Sequence, residues 1–400
     1  TRLGQQVFAV EPERANPYNQ QWNFVIQREL AKNLVLDIAY VGSRGLHLPI
    51  QGLELNQISP ETLAYVRANF NRAGSCATTA NPNAACANIT AFLNQTVANP
   101  LANTMTGITG ATLNGATVAR IALLRPFPQY TSVSAFRPQT GYSTYHALQL
   151  NLQKRFSNGL SFVANYSRSK SLDTGGVGNG AAFLDATAVQ NIYNFDNEYS
   201  YSTFDVPHRV VGSWSYELPF GKNKKFGRSW GKVLNGFFGG WQTSGSATWQ
   251  SGAPFPIVTN GFAVGIGQGV RRPDRIEGDA DFGSSSARQS VRNGSTWFDT
   301  SRFVVAGEYL FGNAARTYND VRRDTYKNVN LSLLKNFQWD EGRQKLQFRA
   351  EFLNAFNWVV FGTPGNNVQT PANSTQTGFG QVRTQGNTPR NMQFVARYTF

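Results

Sequence analysis

Residues 391–400 read NMQFVARYTF, and the fold is decided there. Met392, Phe394, Ala396, Tyr398 and Phe400 share one parity; Asn391, Gln393, Val395, Arg397 and Thr399 share the other. A period of two is the signature of a β-strand with one apolar and one polar face. This strand ends on an aromatic side chain. An edge strand of a soluble sandwich is the competing explanation. A membrane β-barrel sets aromatics at the lipid interface in its outward-facing strands. The rest of the chain has to choose between them.

Working backward, the same alternation recurs. Residues 344–354 (QKLQFRAEFLN) set Leu346, Phe348, Ala350 and Phe352 against Gln347, Arg349 and Glu351. Residues 325–337 set Val329, Leu331 and Leu333 against Asn328, Asn330 and Ser332. A weaker strand spans 241–250, and 205–218 sets Val206, Val210, Trp214 and Tyr216 against Arg209, Ser213 and Glu217. Residues 143–156 and 160–170 flank Ser157-Asn158-Gly159, a hairpin signal. Two further strands, 18–30 and 34–41, set Trp22, Phe24, Ile26, Leu36 and Ile38 against Asn23, Gln27 and Asp37. Each of these strands is near the roughly 9–11 residues that a tilted barrel strand needs to cross a bilayer.

The connections alternate between short and long. Ala31–Asn33, Ser157–Gly159 and Gln338–Arg343 are short; 43–142, 171–204, 251–324 and 355–390 are long outer loops, well beyond ordinary loop length. A barrel in an outer membrane has short periplasmic turns and long extracellular loops. Only 219–240 strains the scheme, as a long periplasmic connection. The expected fold is therefore all-β: an antiparallel transmembrane β-barrel, or a partial barrel of about nine or ten strands. Trp22, Leu36, Leu150, Phe162, Trp214, Leu331, Phe348 and Phe394 should face lipid. Asp37, Gln149, Asn165, Glu217, Asn330, Arg349 and Gln393 should face the lumen, with Arg209, Glu351 and Arg397 among the lumen charges.

Composition is consistent with that reading. The chain of 400 residues is 40% hydrophobic and 13% aromatic, with a mean hydropathy of −0.36. No apolar run reaches the roughly 20 residues of a membrane-spanning helix. A net charge of +14 is scattered rather than clustered, and no nucleic-acid motif accompanies it, so nucleic acid is not an expected partner. Cys76 and Cys86 stand ten apart in a small-residue stretch with no metal-ligating neighbour, which favours a loop disulfide over two free thiols. The chain begins Thr-Arg-Leu without a signal-peptide pattern, as a mature or truncated piece would.

Catalysis finds little support. His47, His146 and His208 have no nucleophile and carboxylate at readable spacing. The runs GGVGNG (175–180) and GIGQG (265–269) do not lie between a strand and a helix, so they fail the context test for nucleotide binding. Asp274, Glu277, Asp279 and Asp281 lack the spacing of a calcium loop and read as a solvated acidic loop. No cofactor is implied.

The segments NPYNQQWNFVIQREL, VLDIAYVGSRGLHL, YHALQLNLQKRFSNGLSFVANYSRSKSLD, FDVPHRVVGSWSYELPFG, GGWQTSGSATWQSGAPF, VNLSLLKNF, LQFRAEFLNAFN and FGQVRTQGNTPRNMQFVARYTF together resemble the barrel of TonB-dependent receptors of the Oar-like type. They follow the family's order and span residues 16–400. The resemblance implies a C-terminal portion of a twenty-two-strand barrel, with plug domain, TonB box and N-terminal β-sandwich absent from residues 1–400. It implies outer-membrane location, lipid as surroundings, and TonB-driven uptake of a ligand whose identity the sequence does not give. Surface anchoring for adhesion or export is the second role, and a passive porin is a third. Met392, Phe394, Tyr398 and Phe400 resemble the C-terminal signal read by the barrel-assembly machinery. Such a portion is expected to form an open, curved sheet, with a smaller closed barrel as the alternative.

Overall fold

A computed structural model of the chain describes residues 4–50, 53–102, 114–175, 189–222, 224–259, 271–339, 344–368 and 378–400. Its main body is an antiparallel meander of nine strands, each hydrogen-bonded to the next in chain order. They are β1 (Tyr18–Ala31), β2 (Leu34–Leu48), β3 (Gly141–Ser157), β4 (Leu160–Asp173), β5 (His208–Glu217), β6 (Trp241–Gln250), β7 (Tyr326–Trp339), β8 (Gln344–Leu353) and β9 (Asn391–Thr399). A two-residue piece, Ser200–Tyr201, adds to the outer end of β4 as a tenth strand. All nine strands fall where alternation puts them, and β2, β3 and β4 run several residues further toward the long loops. β5 begins at His208, so Val206 lies before it.

The register carries one face across the whole sheet. Leu36 pairs with Leu152, Leu152 with Ala164, Phe162 with Trp214, and Trp214 with Gly245. Gly245 then pairs with Leu331, Leu331 with Phe352, and Phe352 with Met392. The other parity is just as continuous: Asp37 pairs with Asn151 and Asn151 with Asn165, while Glu217 pairs with Gln242 and Glu351 with Gln393. A slip of one residue along a strand would exchange the two faces; the one-residue shifts that occur lie at strand ends, between Glu29 and Ala31, Gly45 and Leu48, and Lys154 and Ser157.

Turn chemistry closes the hairpins at one end. Asn33 has φ 66°, and Asn158 and Gly159 have φ 51° and 78°. These positive values give the tight-turn twist that matches paired strands. Residues 340–343 of the third short turn lie outside the described residues. At the opposite end stand all four long connections and the N-terminal strand Gln6–Ala9, which pairs in parallel with Ser132–Ala135 of the first loop. Among the described residues β1 and β9 have no partner on their outer edges, and the sheet is open.

The buried apolar core lies in the long connections and hardly at all in the sheet. α1 (Pro60–Asn69) starts on Ser59, whose side chain accepts from the Thr62 N–H at 3.1 Å, with Pro60 opening the helix. Its Leu63 and Val66 pack with Ile58, with Leu93 of α2 (Ile89–Asn94), with Ile121, and with Tyr309 from the third loop. A second cluster joins Phe255, Ile257, Trp297, Phe298, Phe303 and Val321 to Ala287 of a third-loop helix, Ser284–Arg292, and to Val368 of the fourth loop. Sequence alternation reads these stretches as loops; they form a folded cap. Cys76 and Cys86 are joined by a disulfide within it, their Cα atoms 5.0 Å apart.

Candidate functional site

The apolar face of the sheet is a band with charged margins. In β3 its parity runs His146, Leu148, Leu150, Leu152, Lys154. In β7 it runs Lys327, Val329, Leu331, Leu333, Lys335. Large side chains such as Phe24, Ile26, Leu148, Phe348 and Phe394 stand exposed on this face. Contiguous exposed apolar surface of this extent is made for lipid. Near the cap end, aromatic and histidine side chains form a girdle. Tyr40 Oη lies 2.9 Å from His146 Nδ1, and Tyr166 Oη lies 2.9 Å from His208 Nδ1. Trp22 packs beside His146 with ring centroids 6.0 Å apart. Both histidines thus pair with tyrosine hydroxyls, and His47 packs on Tyr18 in the cap approach.

The opposite face is a hydrogen-bonded polar wall. Gln27 and Asn151 both donate to the Asp37 carboxylate, at 2.8 and 2.9 Å. A groove of about 520 Å³ runs along Asp37, Gln149, Asn151, Asn165, Ser167 and Arg209. Further along, Arg349 and Glu351 make an ion pair of 3.3 Å, and Arg397 sits opposite Gln347. Glu217 is held by Lys224 at 2.6 Å, at the turn end. The sequence-assigned lipid set and polar set therefore occupy opposite faces throughout.

Above the wall, the four long connections are stitched into one cap by polar contacts. Gln57 of the first donates to Asn191 of the second at 2.8 Å. Glu198 of the second receives a two-pronged contact from Arg272 of the third, at 2.6 and 2.9 Å, and both groups are buried. Arg288 of the third reaches Val359 O of the fourth, and it pairs with Asp324. The cap is fastened to the wall by Arg316 on Asp173 and by Arg322 on Asp205, 2.7 Å apart. Sequence reading missed these pairs because the partners stand far apart in the chain: 74 residues for Arg272 and Glu198, and 143 for Arg316 and Asp173.

A cavity of about 450 Å³ opens where the first three connections meet, lined by Arg67, Asn191, Asn194, Asn197, Tyr309 and Asn313 among others. Burial pushes the Arg67 guanidinium below its ordinary value, opposed by the charge of Glu308; an arginine remains charged regardless. The lining is mixed: Pro60, Leu63, Leu310 and Phe311 give it more apolar than polar surface, while asparagine amides and Arg67 supply hydrogen-bond donors and charge. In the acidic run from Asp274, Asp279 and Asp281 serve local turns, accepting from the Asp281 and Gly283 N–H groups, while Asp274 accepts from the N–H of the distant Asn313. Among the described residues no group of acidic, histidine or cysteine side chains is arranged to hold a metal ion. The run GIGQG and all but Gly175 of GGVGNG lie outside the described residues.

An antiparallel wall with an apolar and a polar face, tight turns at one end and large loops at the other, defines an outer-membrane β-barrel domain. The chain belongs to the outer membrane beta barrel domain family, whose model matches residues 1–393. It resides in the bacterial outer membrane. No curated protein matches it in sequence. Among solved structures, it is similar to the pyoverdine outer membrane receptor FpvA of Pseudomonas aeruginosa PAO1 bound to pyoverdine. The identity there is 11%, over 96% of this chain and 30% of that one, with a TM-score of 0.38. FpvA of P. aeruginosa bound to heterologous pyoverdines gives 12% identity over 96% and 27%, also at 0.38. The ferric citrate transporter FecA in its unliganded form gives 8% over 95% and 31%, at 0.34. The chain spans less than a third of the length of these proteins.

Proposed function

We propose that this chain supplies wall and ligand-capturing outer cap to a TonB-dependent receptor of the Oar-like type, importing an unidentified solute across the outer membrane. The observation that supports it best is the cap itself: a folded unit with a cavity of mixed lining, fastened by buried ion pairs above a polar wall. In this reading the cap is extracellular, and Asp37, Arg209, Glu217, Arg349, Glu351 and Arg397 face the lumen. The unpaired edges of β1 and β9 are closed by further strands, since hydrocarbon leaves no alternative partner for an open edge. A plug and TonB box belong to the same whole protein. Met392, Phe394, Tyr398 and Phe400 recruit the barrel-assembly machinery. Catalysis has no part in the proposal.

The test is genetic. Deleting the gene should abolish growth on at least one scarce solute, and deleting TonB should give the same phenotype. Growth unaltered across a broad nutrient panel refutes the transport reading. A second reading is a surface anchor for adhesion or export, favoured by a cap with its own apolar core and disulfide. Cell-surface binding that persists without TonB supports that one.

A further inference from the structure

The connection 219–240 joins β5 to β6 at the turn end, and alternation does not explain it. Its sequence, PFGKNKKFGRSWGKVLNGFFGG, holds five cations and no acidic residue. Lys224 is engaged with Glu217. Lys222, Lys225, Arg228 and Lys232 are exposed.

The same connection is folded. Phe226 N–H donates to Pro219 O and Lys222 N–H to Asn235 Oδ1, at 2.9 and 2.7 Å. It ends in a helix, Lys232–Phe238, with no buried residue. Val233, Leu234, Phe237 and Phe238 make an apolar side, and Val233 and Phe237 are each 72% exposed. Such surface has no place in water at a turn that could equally be polar.

The helix is also placed. The Phe237 carbonyl accepts from Trp241 Nε1 at 2.8 Å, and Lys335 Nζ donates to the Gly239 carbonyl. Trp241 and Lys335 are direct register partners on the apolar face of the sheet. The helix therefore hangs on the lipid-facing side of the wall, at its turn end. This accounts for Lys335 as well, a cation on a lipid-facing strand: it caps helix carbonyls and lies 5.3 Å from the Trp241 ring and 5.0 Å from the Phe337 ring.

We propose that 219–240 is an interfacial anchor for the periplasmic leaflet, inserting Val233, Leu234, Phe237 and Phe238 among acyl chains while Lys222, Lys225, Arg228 and Lys232 bind anionic phospholipid headgroups. Two observations fix lipid as the occupant: the helix continues the apolar face that already meets lipid, and its charge is of one sign. A basic amphipathic segment at an interface gains from both terms, and each cation near an anionic surface strengthens the contact roughly fivefold. The inference is independent of whether the barrel transports anything.

The test uses the whole protein, assembled in vesicles of phosphatidylcholine with or without phosphatidylglycerol. Phe237→Cys, or Val233→Cys if the first fails to assemble, carries an environment-sensitive fluorophore. Expected is blue-shifted emission that nitroxide-labelled lipid quenches, strengthened by phosphatidylglycerol and weakened by salt. The variant Lys222→Gln/Lys225→Gln/Arg228→Gln/Lys232→Gln should lower the ratio of lipid-embedded to water-exposed label roughly tenfold or more. Heat-modified gel migration checks that the wall still forms. Water-like emission in both vesicles overturns the proposal. So does emission indifferent to the four cations, or a shift that requires added soluble periplasmic protein.

Discussion

Replacing Arg272 with Ala should open the cap without touching the wall. Arg272 and Glu198 have side chains only 5% and 1% exposed, and their contact is two-pronged. The neighbouring Gln190 completes the unit: its N–H donates to Glu198 at 3.1 Å, and its side-chain amide donates to Gly312 O at 2.8 Å. Removing the guanidinium strands a buried carboxylate, which costs about 3–5 kcal/mol. At 1.36 kcal/mol per decade, that is a roughly 10²–10⁴-fold rise in local opening. Hydrogen exchange read by mass spectrometry on peptides covering 189–198 and 271–275 measures it directly. Exchange in β3 and β4 should stay unchanged. The double variant Arg272→Met/Glu198→Gln removes both charges and should recover most of the protection, because a buried ion pair gains little over an apolar replacement. Unchanged exchange in the single variant, or a double variant no better than the single, refutes the reasoning.

Three further outcomes follow from the wall. Leu150→Arg places a charge in the middle of the apolar band and should destabilise the barrel by about 2–4 kcal/mol, while neighbouring Gln149→Arg should change it by less than about 0.5 kcal/mol; thermal loss of the gel-shifted folded form distinguishes them, and equal losses would sink the face assignment. Gly245→Val drives a Cβ to 2.5 Å from Asn330 O and 2.6 Å from the Trp214 ring, so it should cost about 1–3 kcal/mol, whereas Gly236→Ala, with nothing within 4 Å, should be silent in the same assay. Phe400→Ser should reduce the folded fraction recovered from membranes in pulse-chase while leaving the cap disulfide intact, since Phe400 touches little beyond Tyr398, 5.8 Å away.

The wall was legible because strand periodicity is a local property. Leu148, Leu150 and Leu152 against Gln149, Asn151 and Gln153 declare a two-faced strand within six residues, and Asn158-Gly159 declares its turn. The cap was illegible for the opposite reason: its core comes from scattered residues such as Ile58, Leu93, Ile121 and Tyr309, which share no period. One part of it was readable all the same. Ser59-Pro60-Glu61 followed by Leu63 and Val66 carries a helix start and an apolar face. The anchor segment shows a third case, where the sequence displays charge and aromatics plainly but only the contacts of Trp241 and Lys335 say which side of the wall they occupy.

Wall and cap draw their stability from different sources, and that separation bears on function. The wall turns its apolar side chains outward, so lipid replaces an internal core, and its polar face keeps groups such as Asp37 and Asn151 bonded to each other. The cap stands in water and must bury its own core, which it does around Phe255, Phe298 and Leu93. Arginine–carboxylate pairs then tie the second connection to the third, through Arg272 and Glu198, and the third to the wall, through Arg316 on Asp173 and Arg322 on Asp205. Such pairs fix geometry while adding little net stability over apolar packing. In the proposed receptor, a cap held in this way has a defined resting shape at less net stability than an apolar one, which suits gripping and releasing a ligand. An apolar cap of the same size would gain stability and lose that release, so the charged fasteners Asp173, Glu198, Asp205 and Asp324 are where altered opening should first show.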